Sequence, residues 1–390
     1  MSSRITAGID VGTYEVRVVI TSIEKKGEQP RIIGTGRAES KGLRHGYIVN
    51  NPDVSRSVEL ALSQAEKVAG INVKKAFVSI GGIGLSGVTS QGSTIVAKGD
   101  QEITPADIEQ AMISAEESIH QTLMQNRKII YSIPTIWKLD GKQVFGRVLG
   151  LKGVKLEVKA LFVTCLEPHL EDLVSSIEDA GVEVIDVVAS PIAGSFVTLT
   201  KSQKIAGCVL ANIGAETVSI VVFENNIPIS IEVFSIGGAD ITHDIALGLK
   251  ISLEEAESIK LGGITSTSYS KKKLEEIISA RLSDIFELIN SHLHKISKNG
   301  QLPAGIILSG GSSSIGPIAE LARDYLHLPS RIATLSIGDN KVQIKDSTWS
   351  VAYGLCVIGS IPEEEDRMGL KKKGNELFGK IGKLLKQFLP

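Results

Sequence analysis

Three short stretches carry residues suited to holding an anion. Asp10-Val11-Gly12-Thr13-Tyr14 and Asn212-Ile213-Gly214-Ala215-Glu216-Thr217 each place a polar residue two positions before a glycine, between apolar, β-rich runs. Gly310-Gly311-Ser312 ends a third such run and leads toward a helix. Glycine brings the backbone close to a ligand without a Cβ in the way, and a helix start favours polar or anionic groups. A glycine pair before a helix is, alone, more often just a turn; two such hairpins followed by strand-GG-helix in one chain is a specific pattern. Glu257 and Lys260 are three apart on one helix face and by themselves read as a solvent-side ion pair. Other chemistry is thin. His292 and His294 are two apart on a helix and cannot share a face for metal ligation. No Cys/His zinc spacing and no GxSxG motif occurs, and the serines of SGGSSS read as a polar turn, so no catalytic residue is assigned.

These residues need a strand-rich frame. RITAGIDVGTYEVRVVITSIEK reads as strand, turn, strand, and a helix follows at about 52–70, closing at Gly70. KAFVSIGG is another strand. Residues 84–162 change texture, with short Gly-punctuated strands and a helix at about 105–124, which predicts a small α+β insertion. Strands and helices then alternate, with helices at about 240–249, 253–260, 271–298, 315–327 and 347–359, so the chain is α/β. One repeat is visible: with Asp10-Val11-Gly12 set on Asn212-Ile213-Gly214, Val16, Val18, Val19 and Ile20 fall on Val218, Ile220, Val221 and Val222.

Composition narrows the class. The 390 residues are 42% hydrophobic and 22% charged, which is globular and excludes disordered, collagen-like and disulfide-scaffold proteins. A net charge of −2 with 4% aromatics disfavours a dedicated nucleic-acid binder. Cys165, Cys208 and Cys356 sit far apart in apolar runs and read as buried thiols of a reducing compartment. With no apolar run of membrane-spanning length and no basic-then-apolar signal segment, the expectation is a cytoplasmic protein.

The C-terminus stands apart. Residues 371–390 carry +5 against −7 for the rest, after a charged, Pro- and Gly-containing linker. Leu377, Phe378, Ile381, Leu384, Leu385, Phe388 and Leu389 form one helical stripe, with Lys380, Lys383 and Lys386 on the other side. That pattern predicts an interfacial anchor on anionic lipid, the alternative being a helix docked on the body.

The two hairpins and the GG turn resemble the actin, Hsp70 and sugar-kinase superfamily, in which two duplicated ribonuclease H-like domains clamp ATP. Within it, GIDVGTYEVRVV, ANIGAETVSIVVFENNIPI, IGGADITHDIALGLKISLEEAESIKLGG, GIILSGGSSSIGPIAELA and VAYGLCVIG resemble the FtsA family of bacterial cell-division proteins over nearly the whole chain. The resemblance implies an actin-like domain at 1–83 and 163–200 interrupted by the insertion at 84–162, and a second at 201–345 with an outer subdomain at about 243–300. A connecting helix at 346–359, a linker at 360–374 and a membrane helix at 375–390 complete it.

Carried over by resemblance, Asp10 holds a Mg²⁺-bound water, and Gly12, Thr13 and Tyr14 present amides to the phosphates, with Arg17 where actin has a phosphate-contacting lysine. Asn212, Gly214, Ala215, Glu216 and Thr217 make the second phosphate turn, and Gly237 and Gly238 lie near it. Glu257 and Lys260 touch ribose and adenine, and Gly310, Gly311 and Ser312 flank the base. The sequence departs from the family at N-I-G-A-E-T, where D-I-G-G-G-T is usual, and PIAGSFVTLT contains no Glu or Gln to orient water. Both departures predict ATP binding with at most slow hydrolysis. The family further implies head-to-tail filaments, a peripheral place on the cytoplasmic face of the membrane at the division site, and other divisome proteins as partners. It also implies binding of the FtsZ C-terminal tail near Arg281, on a helix whose Ile277, Ile278, Leu282, Ile285 and Leu288 pack inward. The alternatives are a PilM-type pilus-assembly protein and a sugar-kinase-like phosphotransferase.

Overall fold

The computed structural model describes residues 4–24, 29–96, 99, 101–263, 268–335 and 346–361. The expected membrane helix (Leu377, Phe378, Lys380, Ile381, Lys383, Leu384, Leu385, Lys386, Phe388 and Leu389) and most of the linker before it lie outside the described residues.

Two five-stranded sheets share one strand order. In the first, Arg31–Glu39, Glu15–Ile23 and Arg4–Val11 run antiparallel, and Lys75–Ile80 and Glu183–Ala189 extend the sheet in parallel from Arg4–Val11. In the second, Ile227–Phe234, Val218–Glu224 and Cys208–Ile213 are antiparallel, followed in parallel by Ile306–Ser309 and Ser330–Ile332. The repeat seen in the sequence is this shared antiparallel hairpin.

Strand alternation explains why these runs are mostly apolar. Val209, Ala211 and Ile213 face a core shared with the outer helices, while Cys208 and Leu210 face the core of the first sheet. Val218, Ile220 and Val222 divide from Val221 and Phe223 in the same way. Period-two side chains on a sheet covered on both faces favour apolar residues at nearly every position, and Asn212 and Ser309 stand where the strands reach the cleft. The first core runs into the second half of the molecule through Leu210, Val221, Phe223, Ile231 and Ile307.

Helix ends follow their capping chemistry. Asn51–Ala69 starts with the Asn50 side chain accepting from Asp53 N and ends at left-handed Gly70. The helix expected at 105–124 is two: Pro105–Glu117, behind a Thr104–Asp107 capping box, and Gln121–Met124. After Ser309 the glycine pair does not enter a helix directly, because Gly311–Ser314 is a 3₁₀ turn and the helix begins at Ile318. In Lys271–Lys295, Ile278, Leu282 and Ile285 are buried and Ile277 is partly so, whereas Leu288 is exposed and Phe286 and Ile289 are buried instead.

The insertion is its own layer. Its sheet, ordered Ser86–Ile95, Lys155–Leu166, Arg127–Leu139 and Lys142–Val144, packs under Pro105–Glu117 around Trp137, Leu156 and Phe162. The strand Lys155–Leu166 leads straight into the helix Glu167–Asp179 of the first half.

Two helices cross between the halves: Ser190–Thr198, and Ser350–Ser360, which packs on the first sheet. At the crossing a Cβ on Gly354 would lie 2.0 Å from Ala193 O, so the backbones touch with no side chain between them.

Candidate functional site: a cleft between the two sheets

A cleft of about 520 Å³ opens between the two sheets. Fourteen of the seventeen residues expected at a nucleotide line it: Asp10, Gly12, Thr13, Tyr14, Arg17, Asn212, Gly214, Ala215, Thr217, Glu257, Lys260, Gly310, Gly311 and Ser312. They come from distant stretches of chain and meet because each sheet ends its central strand at the same rim.

Asp10 closes the central strand of the first sheet. The pairing of Gly8 and Ile9 with Phe77 and Val78 places Ser79 beside it, and Ser79 Oγ donates to Asp10 Oδ1 at 2.6 Å. Burial raises the Asp10 pKa, while the Ser79 hydroxyl and the Arg17 charge pull against that rise. Arg17, opposite Asp10 in the hairpin, donates to Glu15 Oε2 at 2.7 Å and lies 5.9 Å from the Trp349 ring centre. Its cross-strand neighbour Arg37 is 3.9 Å from the same Glu15 carboxylate.

The second sheet repeats the arrangement with different charges. Asn212 pairs with Ser309, and the following Gly310 has φ +88°. A Cβ there would lie 2.3 Å from Asn212 Oδ1, so both conformation and contact require glycine. Gly214 N donates to Thr217 O at 2.9 Å, closing the second turn. Gly237 and Gly238 stand behind that turn rather than lining the cleft. Gly238 N donates to Gly214 O at 2.9 Å and Ala239 N to Ala215 O at 2.7 Å.

At three places the side chains make contacts that the sequence alone did not show. Glu216 does not face the cleft, because its carboxylate crosses to the other half and accepts the His45 N–H. Glu257 and Lys260 are no solvent-side pair. The Lys260 side chain is only 6% exposed, and its Nζ donates to Gly238 O at 3.0 Å and to Thr242 Oγ1 at 2.8 Å, 2.6 Å from Glu257 Oε2. Arg281, the residue expected at the FtsZ tail, is ion-paired: its guanidinium makes a two-point bond to Asp244, at 2.7 and 3.1 Å, and lies 3.2 Å from Asp284. His292 is buried and neutral: burial lowers its pKa to about 4, with Ser230 Oγ 2.7 Å from Nε2, while His294 is exposed.

Sequence reasoning missed Ser79, Gly81, Gly82, Ser190, Arg37 and Gly46 among the lining residues. Gly81-Gly82, after Lys75–Ile80, mirrors Gly310-Gly311 after Ile306–Ser309, and extending the repeat that far would have found it. Arg37 and Gly46 carry no local signal.

The donor set fits a phosphate-bearing ligand: two glycine turns, Arg17, and the buried carboxylate of Asp10, whose hydrogen-bond partner is the Ser79 hydroxyl. Among the described residues no cluster of three or more His, Cys, Asp or Glu could hold a metal, so a cation at Asp10 would need oxygens from its ligand.

The family model "Cell division protein FtsA" matches residues 209–354, and "SHS2 domain inserted in FTSA" matches 82–164. The chain is 28% identical to the cell division protein FtsA of Pseudomonas aeruginosa, over 96% of this chain and 93% of that one. It is 30% identical to FtsA of Streptococcus pneumoniae serotype 2, over 83% of this chain and 76% of that one. The chain belongs to the FtsA family of cell-division proteins. Among solved structures, the PilM–PilN type IV pilus biogenesis complex superposes with a TM-score of 0.67 at 16% identity, covering 92% of this chain and 98% of that one. MreB5 of Spiroplasma citri bound to ADP gives 0.52 at 13% identity, covering 90% and 94%. These likenesses show the fold, which is actin-like with the FtsA-type insertion. Among the described residues of this FtsA-family chain, no helix is long and apolar enough to cross a membrane.

Proposed function

We propose that this FtsA-family chain binds ATP in the cleft, assembles head to tail, and links the FtsZ polymer to the cytoplasmic membrane through its C-terminal helix. The observation that carries the ATP reading is the convergence of both hairpin turns and the GG turn on one cleft. In this reading the two turns and Arg17 hold the phosphates, and Gly310, Gly311 and Ser312 lie along the nucleoside. Asp10 would hold a Mg²⁺-bound water, and the charge of that cation would offset the burial of the carboxylate. The cation would supply neutralisation of the phosphates, and the protein the backbone amides of the turns and the Asp10 carboxylate.

Hydrolysis is slow in this reading. Of the lining carboxylates, Glu15 is bound to Arg17, Glu257 to Lys260, and Asp346 to Thr348 N. The helix Ser190–Thr198 at the cleft offers only Ser190. Among the described residues, that helix thus presents no carboxylate or carboxamide to orient a water for attack.

Membrane attachment rests on the tail sequence, and filament growth on the general geometry of heterologous contacts, which need not close. Co-sedimentation with anionic liposomes, ATP and FtsZ tests the whole reading. Replacing Phe378 and Leu385 with Glu should abolish pelleting with liposomes and leave ATP affinity unchanged. If that variant loses ATP or unfolds, the helix is a docked element of the body. Sugar-dependent turnover of several ATP per second would instead favour the phosphotransferase.

A further inference from the structure

Glu216 belongs to a turn whose neighbours line the cleft, yet its side chain leaves that cleft for the other half of the molecule. Its Oε2 accepts the backbone N–H of His45 at 2.5 Å. His45 Nδ1 lies 3.4 Å from Glu216 O and 3.1 Å from Ser235 Oγ. Three atoms of the second half thus surround one residue of the first.

His45 is held in place from behind. It sits with Gly46 at the tip of a small hairpin, Leu43–Arg44 paired with Tyr47–Ile48. Both tip residues have positive φ, +48° and +79°, as a two-residue hairpin turn demands. A Cβ on Gly46 would lie 2.2 Å from Gly82 Cα, so the hairpin rests backbone to backbone on the Gly81-Gly82 turn. Ile83 N donates to His45 O at 3.4 Å, and the Tyr47 ring meets His169 edge-on at 5.3 Å.

The turn bearing Glu216 is braced as well. A Cβ on Gly237 would lie 2.4 Å from Ala215 O, and one on Gly238 would lie 2.1 Å from Ser312 Oγ. The Glu216–His45 bond therefore joins two braced pieces of backbone across the cleft. Pointed inward, the same carboxylate would repel phosphates at short range; pointed at an N–H, it makes a charge-assisted bond.

We infer that Glu216 and the His45 amide form a strut that fixes the second glycine turn relative to the first. Glu216 is then a positioning residue for the nucleotide, not a ligand of it. This rests on the nucleotide reading above for its consequence, but not for the strut itself.

Two measurements on the full chain test it. Release of a fluorescent ATP analogue should be about five- to tenfold faster in Glu216→Ala, and near wild type in Glu216→Gln, which keeps an acceptor oxygen. Amide exchange over residues 43–48 of the nucleotide-free chain should be faster in Glu216→Ala and near wild type in Glu216→Gln. Unchanged exchange in Glu216→Ala overturns the strut. Faster exchange with unchanged release overturns its positioning role, and equal loss of ATP binding in both variants with unchanged exchange makes the carboxylate a direct ligand. If the wild-type chain binds no ATP, the nucleotide reading fails, and the exchange measurement alone decides whether the strut exists.

Discussion

Asp10 and Asn212 end the central strands of two sheets with one strand order, and each stands beside a serine of the neighbouring parallel strand, Ser79 and Ser309. One member is a carboxylate whose pKa is raised by burial, and the other is a neutral amide. These two matched positions thus carry one ionisable carboxylate where symmetry would place two.

Asp10→Asn should stabilise the nucleotide-free protein at neutral pH. A carboxyl with a raised folded-state pKa binds its proton more tightly folded than unfolded, so its ionisation lowers stability as pH rises through that window. The variant's advantage should be full above the raised pKa and vanish as pH falls toward the ordinary value near 3.8. Thermal melting of both proteins across pH checks this. The same variant should bind Mg²⁺–ATP more weakly; a variant less stable at pH 7 contradicts the argument.

Lys260→Met removes a buried cation and leaves Glu257 and the Gly238 carbonyl short of a partner. Loss of one member of such a pair costs about 3 kcal/mol. Adding Glu257→Gln should recover part of that loss, because the stranded charge goes with it. Urea titrations of the single and double variants give the comparison, and a double variant worse than the single would show that the pair is not the source.

Arg281→Glu would face Asp244 and Asp284 directly. With the Asp244 side chain 30% and that of Asp284 56% exposed, the cost is about 1 kcal/mol after screening. Asp244→Arg in the same chain should restore stability. If the proposed FtsZ tail site lies here, Arg281→Glu weakens peptide binding: recovery in the swapped protein then means that Arg281 acts by holding helix Gly238–Leu249 to Lys271–Lys295, continued loss means direct contact, and unchanged binding in Arg281→Glu rejects the site.

Lys204 is buried with its ammonium 4.9 Å from the Phe196 ring centre and 5.1 Å from that of Phe223, and burial lowers its pKa to about 8. The unfolded chain holds this proton up to about 10.5, so between those values stability rises with pH. Compared with Lys204→Met, the wild type should gain stability from pH 8 to 10. A flat difference between the two melting curves would contradict the burial effect.

The elements that were legible in the sequence are those with a local physical cause. The apolar runs around Asp10 and Asn212 had to be doubly covered strands, and Asn50 and Gly70 announced a helix's two ends. Leu288 was misread because the stripe on Lys271–Lys295 steps from Ile285 to Ile289 and Leu293, following the 3.6-residue period, not from Ile285 by three. Ser79, Arg37 and Ser190 reach the cleft from separate strands and a helix, and only the sheet order brings them there. Glu216 was placed in the right turn, but the direction of its carboxylate depends on His45, far away in sequence.

The contact at Gly354 has a mechanical meaning. Two helices that meet through bare backbone have no side chain between them to yield, so neither can slide past the other without moving main chain. The same two helices reach the cleft through Ser190 and Val351, so any side chain larger than that of glycine at 354 would force them apart and disturb the cleft wall.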